Sequence, residues 1–269
     1  MRGFRFETLQ VDFDGFALSV VLNRPDARNA LSPLMVRELS DLLRTASADP
    51  SVRLLLIRGA GGWFCAGADL KGVLGGGLDG VTMENIKAVN RSFGEMVSLL
   101  DSFPAVTVSV VEGGALGGGM GLCAVTDLTL AHTGAIFGLP ETTLGIPPAQ
   151  ILPFIVRRIG EYEARRLSLL GERISAKEAA EIGLVTSLWE TEGALQGMLE
   201  DVRRKVRKCA PGANRETKRL ISAALEVPLE NLLDEGAGTF ARCLLEGEGK
   251  EGVRAFLEKR KPAWAEEEE

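Results

Sequence analysis

The alternation of apolar and polar positions divides the chain into two parts. In the first part, short apolar runs predict β-strands, and the segments between them have the spacing of amphipathic helices. The predicted strands are Phe6–Asp12, Phe16–Leu22, Val52–Arg58, Ala105–Val111 and Leu128–Ala131. Ser32 followed by Pro33 predicts the start of the first helix, because a hydroxyl caps free N–H groups and proline suits the first helical position. Strands that alternate with helices indicate a layered α/β fold with a mostly parallel sheet.

Helical periodicity dominates after about residue 150. The helices predicted there are Arg157–Leu170, Ala176–Ile182, Leu195–Lys208, Ala213–Leu225, Leu229–Leu245 and Lys250–Lys259. In the first part, helices are expected over Met83–Leu100 and over Gly117–Val125, with a glycine-rich loop over Gly72–Gly80. No low-complexity linker interrupts the chain, so we predict a core over residues 1–200 and an attached C-terminal helical region over residues 201–269.

Composition and charge narrow the class of protein. Of the 269 residues, 45% are hydrophobic and 25% are charged, which is typical of a globular protein with a substantial core. The formal net charge is −6, and four of the acids form the tail Glu266–Glu269. The rest of the chain is close to neutral, which disfavours a general nucleic-acid binder. The basic stretch from Arg203 to Lys208 is interpreted as a solvated helix face, with an anion-binding patch as the alternative.

The cysteine pattern and the hydropathy of the chain indicate the cellular compartment in which the protein is expected. Cys65, Cys123, Cys209 and Cys243 form no CxxC pair and have no histidine at a metal-binding spacing. The N-terminus lacks an apolar signal core, and no segment is apolar enough to span a bilayer. We therefore expect reduced thiols and a cytoplasmic protein. A nucleophilic role for Cys65 is disfavoured, because no histidine lies near it in the sequence.

Two glycine-rich turns each follow an apolar run that is predicted to be a strand. The first turn is Phe64–Leu70, and the second is Gly113–Leu122. Glycine lets the backbone approach a ligand and present bare N–H groups, and a helix that begins near Gly117 would add the positive end of its dipole. Two such N–H groups directed at one carbonyl oxygen would form an oxyanion hole, which favours the conversion of a thioester to an enolate. Close packing of two backbones is the alternative.

Few side chains are candidates for acid–base chemistry. Glu141 lies between apolar segments, where desolvation would raise its pKa toward that of a general acid or base, and a helix-start acid is the alternative. His132 is the only histidine and is expected in a surface turn. A single histidine disfavours histidine triads and histidine-rich metal sites, so no metal is expected. The glycines match neither a phosphate-binding loop nor a dinucleotide fingerprint.

Several motifs together resemble the enoyl-CoA hydratase/isomerase (crotonase) superfamily, and they extend through nearly the whole chain. The motifs are Leu22–Leu31, Phe64–Leu70, Gly113–Gly121 with Asp127, Phe137–Gly145, Ala176–Ala179 with Gly183–Val185, and Glu251–Arg260. The resemblance implies a crotonase-like α/β fold, a superhelix of ββα repeats, with a C-terminal helical region that forms a trimer or a dimer of trimers. It also implies a coenzyme A thioester as the substrate, with no separate cofactor.

The resemblance assigns roles to individual residues. It places the oxyanion-hole N–H groups at Ala66 and Gly118 and the acid–base side chain at Glu141. The residues that it places against coenzyme A are Ala27, Arg28, Ala66, Gly67, Ala68, Asp69, Leu70, Gly117 and Gly118. It also places Phe256 and Lys259 near the coenzyme A of a neighbouring subunit, where aromatic and cationic groups suit a phosphorylated nucleotide.

One position departs from the family's hydratases, which usually present two glutamates to the substrate. Glu141 matches one of them, but Gly121 stands at the position of the other. This glycine and the segment Gly145–Pro147 resemble a bacterial branch, the methylglutaconyl-CoA and isohexenylglutaconyl-CoA hydratases. We therefore expect hydration of a branched or carboxylated α,β-unsaturated acyl-CoA.

Two other functions remain open at this point. An enoyl-CoA isomerase needs only one base, which suits Glu141 acting alone, and a non-catalytic acyl-CoA binder needs none. The acyl pocket is expected to include parts of Val73–Leu78, Phe93–Leu100 and Leu139–Gln150.

Overall fold

Strands and helices alternate along the first part of the chain, as expected for an α/β fold. The structure is a computed structural model and describes residues 5–75, 77 and 80–265. The first four residues, the tail Glu266–Glu269, and Gly76 and Leu78 of the expected acyl pocket lie outside the described residues.

The strands form two sheets. They are β1 (Leu9–Phe13), β2 (Ala17–Leu22), β3 (Leu54–Gly59), β4 (Val106–Val111), β5 (Gly114–Leu116), β6 (Leu128–His132), β7 (Ile136–Gly138), β8 (Arg173–Ser175) and β9 (Ser187–Trp189). The larger sheet has the order β1-β2-β3-β4-β6-β9, and the smaller has the order β5-β7-β8. The pairs β2–β3, β4–β6, β6–β9 and β5–β7 are parallel. Strands β1 and β2 are antiparallel, because a short turn at Asp14 and Gly15 joins them directly.

Helices alternate with the strands and predominate toward the C-terminal end of the described residues. They are α1 (Pro33–Ser47), α2 (Leu70–Leu74), α3 (Met83–Asp101), α4 (Gly118–Val125), α5 (Leu152–Leu170), α6 (Ala176–Glu181), α7 (Glu192–Lys208), α8 (Pro211–Ala223), α9 (Leu229–Leu245) and α10 (Gly249–Leu257). The start of α1 is confirmed, since Ser32 Oγ accepts the Met35 N–H at 3.2 Å and Pro33 is the first helical residue. None of the described helices is both long and apolar enough to cross a bilayer.

Short elements account for most differences from the prediction. The region after residue 150 is not purely helical, because it contains β8 and β9, each of three residues. Three residues are too few to show an alternating pattern, so pairing with β7 and β6 defines them. Part of the expected loop over Gly72–Gly80 belongs to α2, which Asp69 caps by accepting the Gly72 N–H at 3.0 Å.

The described residues divide into two compact units. The first comprises the residues up to Phe103 together with Thr107–Gln196, and the second comprises Pro104–Val106 and the residues from Gly197 onward. In the first unit, the apolar faces of the strands and of α1 and α3 form the core, and α4 is buried along its whole length. The second unit contains α8, α9 and α10. The boundary at residue 200 between the core and the C-terminal helical region stays a prediction.

Candidate active site

The two glycine-rich turns lie against each other and are joined by main-chain hydrogen bonds. The Cys65 N–H donates to Gly114 O at 3.1 Å, and the Leu116 N–H donates to Cys65 O at 2.9 Å. A Cβ at Gly119 would lie 2.5 Å from Cys65 O, far inside van der Waals contact. Close backbone packing therefore requires glycine at position 119, and this packing brings the start of α4 beside the first turn.

Gly118 is the first residue of α4 and carries a free N–H group. The preceding Gly117 has a φ of 51°, a conformation that favours glycine, and its N–H donates to Gly138 O at 2.8 Å. Among the described residues, no acceptor binds the Gly118 N–H, and Gly118 is buried. A free donor at the positive end of a helix dipole suits developing negative charge. The structure therefore leaves Gly118 available for the predicted role.

The structure corrects the choice of the second donor. The Ala66 N–H donates to Arg28 O at 3.0 Å and is therefore not free for a ligand. The Ala68 N–H has no acceptor within the part of the chain that the structure describes, and Ala68 is exposed. A Cβ at Gly67 would lie 3.5 Å from Gly118 N, so the first turn passes directly beside the start of α4. Ala68, rather than Ala66, is the residue of this turn with a free N–H next to Gly118.

The loop that follows β2 determines which N–H groups of the first turn are free. The Leu31 N–H donates to Gly67 O at 2.8 Å, and the Asp69 N–H donates to Leu31 O at 3.1 Å. These bonds lie on either side of Ala68 and leave its N–H unpaired, while the bond to Arg28 pairs the Ala66 N–H. This pairing between distant segments cannot be read from the composition of the turn.

Glu141 lies in the first turn of a 3₁₀-helix, Pro140–Leu144, and its carboxylate faces the start of α4. A Cβ at Gly117 would lie 2.6 Å from Glu141 Oε1, so the carboxylate is directly beside that backbone. Glu141 Oε2 is buried and has no hydrogen-bond partner among the described residues. Burial raises the pKa of Glu141, although a hydrogen bond with its own backbone opposes the shift. A carboxylate in this environment is suited to exchange protons with a substrate.

Apolar side chains close the space around this face of α4. A Cβ at Gly118 would lie 3.0 Å from Phe93 Cζ and 3.2 Å from Leu31 Cδ1, so the expected pocket residue Phe93 is at the site. One helical turn further on, a Cβ at Gly121 would lie 2.4 Å from Ile151 Cγ2. Ile151 therefore fills the space that any side chain at position 121 would need.

The residues assigned to coenzyme A by resemblance have mixed environments. Arg28 is exposed, and its guanidinium carbon lies 4.9 Å from the centre of the Trp63 ring. Ala27 ends a short 3₁₀-helix just before Arg28, and Leu70 is 37% exposed. The Asp69 carboxylate has a structural contact instead, an ion pair with Arg24 at 2.7 Å.

Two residues assigned to coenzyme A lie in the second unit. Phe256 is 81% exposed on α10. Lys259 follows α10 with a φ of 55°, and its N–H donates to Phe256 O at 3.2 Å. Their contact with a neighbouring subunit's coenzyme A stays a prediction.

Asn29 is a structural residue of the site that sequence reasoning did not single out. It is fully buried, has a φ of 55°, and its Oδ1 accepts the Arg24 N–H at 2.9 Å. Its Nδ2 donates to Ala60 O at 2.9 Å and to Trp63 O at 2.7 Å. An asparagine tolerates this left-handed conformation, and its amide ties the loop after β2 to the segment that leads into the first turn. Its place within the motif Leu22–Leu31 was the available signal.

The other candidate side chains contribute no chemistry at this site. Burial raises the pKa of the Cys65 thiol to about 12, which argues against a nucleophilic thiolate. Cys123 is also buried, and burial raises its pKa as well. His132 ends β6 with its ring edge-on to Trp189, and its Nδ1 accepts the Gly134 N–H. Among residues 5–75, 77 and 80–265, no group of three or more potential metal ligands comes together.

Two free backbone N–H groups beside a partly buried carboxylate are typical of enzymes that stabilise a carbonyl oxygen while a proton moves. The comparisons agree with this class: residues 15–267 match the enoyl-CoA hydratase/isomerase family, and the chain belongs to that family. The predicted family and crotonase-like fold are thereby confirmed, and the protein is an enzyme of the hydratase/isomerase type.

Particular relatives resemble nearly the whole chain. The crystal structure of an enoyl-CoA hydratase/isomerase from Marinobacter aquaeolei is 44% identical, with a TM-score of 0.92 over 97% of this chain and 100% of that one. The structure of Pseudomonas aeruginosa AtuE is 45% identical, with a TM-score of 0.93 and the same coverage. The 2,3-dehydroadipyl-CoA hydratase of Escherichia coli is 32% identical over 91% of this chain and 93% of its own length.

Proposed function

We propose that this enzyme adds water to an α,β-unsaturated acyl-CoA, with Glu141 as its single acid–base group. The observation that carries the proposal is the buried Glu141 carboxylate, unpartnered at Oε2, beside Gly117 and next to the free N–H of Gly118. Relatives named as hydratases support the addition of water.

In the proposed reaction, the thioester oxygen accepts hydrogen bonds from the Gly118 and Ala68 N–H groups. The Glu141 carboxylate takes a proton from water while the water oxygen bonds to the β-carbon of the acyl group. The π electrons of the double bond move toward the carbonyl, so its oxygen becomes an enolate oxygen. Glu141 then returns the proton to the α-carbon, which restores the thioester. Loss of one oxyanion donor typically costs about 3–4 kcal/mol in the transition state, so these two N–H groups account for much of the rate.

We propose a branched or carboxylated acyl group, as in the methylglutaconyl-CoA and isohexenylglutaconyl-CoA hydratases. The proposal is supported by Gly121 and the Gly145–Pro147 segment, which resemble that branch. A carboxylated group is also supported by the relative named 2,3-dehydroadipyl-CoA hydratase, because adipic acid is a dicarboxylic acid.

We propose that coenzyme A binds along the first turn, with Ala27, Arg28, Gly67 and Leu70 around it, and that the reaction uses no separate cofactor. We further propose that the protein forms a trimer or a dimer of trimers through residues 201–269. In that assembly Phe256 and Lys259 of one subunit would approach the coenzyme A of the next.

An enoyl-CoA isomerase is the second candidate, and one observation favours it. Ile151 occupies the space beside Gly121, so Glu141 has no second carboxylate at that position to help hold water. An isomerase would use Glu141 to move a proton between the α- and γ-carbons, without water.

Incubation with branched and carboxylated enoyl-CoA thioesters in heavy-oxygen water separates these reactions. Hydration places the heavy oxygen on the β-carbon of the product, and mass spectrometry detects it. A migrated double bond without label would show an isomerase instead. Binding of the thioesters without any conversion, unchanged by Glu141→Gln, would show a non-catalytic acyl-CoA binder.

A further inference from the structure

Helix α5 contacts both elements that carry the proposed chemistry. At its start, Ile151 packs on Gly121 of α4. Near its end, Ser168 O accepts the Thr142 hydroxyl at 2.8 Å, on the residue that follows Glu141. The same helix therefore holds the oxyanion-hole helix and the carboxylate-bearing 3₁₀-helix, and its side chains influence their relative position.

The oxyanion-hole helix is weak by itself. Three of the eight residues of α4 are glycines, namely Gly118, Gly119 and Gly121, and each is about 1 kcal/mol less favourable in a helix than alanine. Isolated helices shorter than about 12–15 residues are marginal even with better sequences. The position and direction of α4 therefore depend on the packing along its length and on the groups that bind its two ends.

Arg158 on α5 binds the C-terminal end of α4. Its Nε donates to Ala124 O at 2.9 Å, and its Nη2 donates to Thr126 O. The guanidinium is a rigid, planar group, so bonds to two buried carbonyls, two residues apart, define both the position and the orientation of that helix end. A cation at this end is also favourable for the helix dipole.

The charges around Arg158 are consistent with a structural cation in a partly buried place. Burial lowers the pKa of Arg158, while the nearby carboxylates of Asp127 and Asp101 oppose that shift. Asp127 is itself held by Thr107, whose N–H and hydroxyl both donate to its Oδ2, at 2.7 Å and 3.0 Å. The nearby carboxylates thus favour the charged guanidinium, and its hydrogen bonds go to the end of α4.

We propose that Arg158 is a positioning residue for the oxyanion hole. By binding the carbonyls at the C-terminal end of α4, it holds the helix where the Gly118 N–H is directed at the thioester oxygen. The inference rests on the proposed function, since it assigns Arg158 to the polarisation of that oxygen.

The test compares Arg158→Gln with the matched control Arg157→Gln. Arg157 neighbours Arg158 on α5 and also forms a partly buried ion pair, but its partner is Asp101 rather than α4. With crotonyl-CoA, a small α,β-unsaturated acyl-CoA, we expect Arg158→Gln to lower kcat about 5- to 30-fold and to change KM by less than about twofold. Arg157→Gln is expected to keep kcat within about twofold of the parent.

An infrared measurement separates positioning from a loss of stability. In a Glu141→Gln background, which stops turnover, the stretching frequency of an isotope-labelled crotonyl-CoA carbonyl reports its polarisation when bound. We expect the carbonyl stretching frequency to be lower when crotonyl-CoA is bound to the Glu141→Gln protein than when it is free in solution. In the Glu141→Gln, Arg158→Gln double variant, this decrease in frequency should be smaller. A residue that only stabilises the fold would leave the frequency in the folded protein unchanged.

Each outcome has a defined meaning. Equal kinetic effects of the Arg158 and Arg157 changes, or an unaltered carbonyl shift, would overturn the positioning role. If Arg158→Gln does not fold, Arg158→Lys decides, because it keeps the charge but replaces the rigid planar fork by one compact ammonium group that does not fix the orientation of the helix end. An undiminished shift in that variant would also overturn the role. If the Glu141→Gln parent binds neither crotonyl-CoA nor a branched or carboxylated enoyl-CoA, or binds them without any carbonyl shift, the proposed function itself fails.

Discussion

The contact between Gly121 and Ile151 leads to a prediction about stability. Gly121→Ala should destabilise the parent protein but stabilise a variant in which Ile151 is shortened to alanine. A Cβ at Gly121 would lie 2.4 Å from Ile151 Cγ2 and 3.0 Å from Ile151 Cβ. Carbon atoms in contact normally lie about 3.5–4.0 Å apart. Ile151 is only 1% exposed and β-branched, so it has little freedom to move away. Gly121→Ala should therefore overpack the protein.

The magnitudes follow from two opposed effects. Replacing glycine by alanine inside a helix gains about 1 kcal/mol, whereas overpacking a dense core costs about 1–3 kcal/mol. Because the contact is more than 1 Å too short, we expect the upper end of that cost and a net loss of about 1–2 kcal/mol. Ile151→Ala alone should cost about 2–5 kcal/mol. In the Ile151→Ala background only the contact with Cβ at 3.0 Å remains, and a shift of a few tenths of an ångström relieves it. Gly121→Ala should therefore stabilise that protein, by at most about 1 kcal/mol.

Urea unfolding of the four proteins in this cycle, at one fixed protein concentration, measures the effect. Ile151→Val is the matched control, because it removes Cδ1 but keeps the Cγ2 methyl that blocks position 121. Gly121→Ala should remain destabilising in the Ile151→Val background. The same sign in the parent and in the Ile151→Ala protein would refute the reasoning that Ile151 closes position 121.

Three further predictions concern the two donors and the carboxylate. Gly118→Pro removes the N–H at a position where a helix tolerates proline, so kcat should fall about 10²–10³-fold. Gly118→Ala adds a Cβ but keeps the N–H donor, so its kcat should fall far less. Steady-state kinetics at saturating acyl-CoA compare the two, and equal losses would contradict a donor role. Ala68→Pro should lower kcat with little change in Tm, whereas Ala66→Pro should lower the free energy of unfolding by about 1–3 kcal/mol, because it breaks the hydrogen bond to Arg28. Steady-state kinetics and thermal unfolding of both variants test Ala68 as the second donor. A greater loss of kcat in Ala66→Pro than in Ala68→Pro would exclude that role for Ala68. Glu141→Gln should abolish turnover and raise the free energy of unfolding at neutral pH, because burial raises the pKa of the folded carboxyl above its ordinary value of 4.5. That gain should shrink as the pH falls through the raised pKa and vanish below 4.5, where the carboxyl is neutral in both the folded and the unfolded protein. Urea unfolding at several pH values measures it, and a gain that stays constant with pH would contradict this reasoning.

Local chemistry made much of the fold predictable from the sequence. Ser32 and Pro33 define the start of α1 because a hydroxyl cap and a fixed φ act within one turn. The predicted span of α9, Leu229–Leu245, matches the structure because its apolar positions repeat over 17 residues. The glycines of the second turn also indicated a close backbone approach, which Gly119 makes against Cys65.

Tertiary structure alone decided the details of the site, because they depend on which distant segments meet. Ala66 and Ala68 are the same residue type in one turn, and only pairing with Arg28 and Leu31 leaves the second N–H free. The strands β8 and β9 are too short to carry a periodic signal and exist through their partners.

The acid–base site shows the same division. The sequence by itself determined that Glu141 is the one acid matched to the site and that position 121 has no side chain. Folding decided that the Glu141 carboxylate is buried beside Gly117 and that Ile151 occupies the space at Gly121. Residue types and local periodicity are properties of neighbours in the chain, whereas burial, free donors and filled space arise only when separate segments pack together.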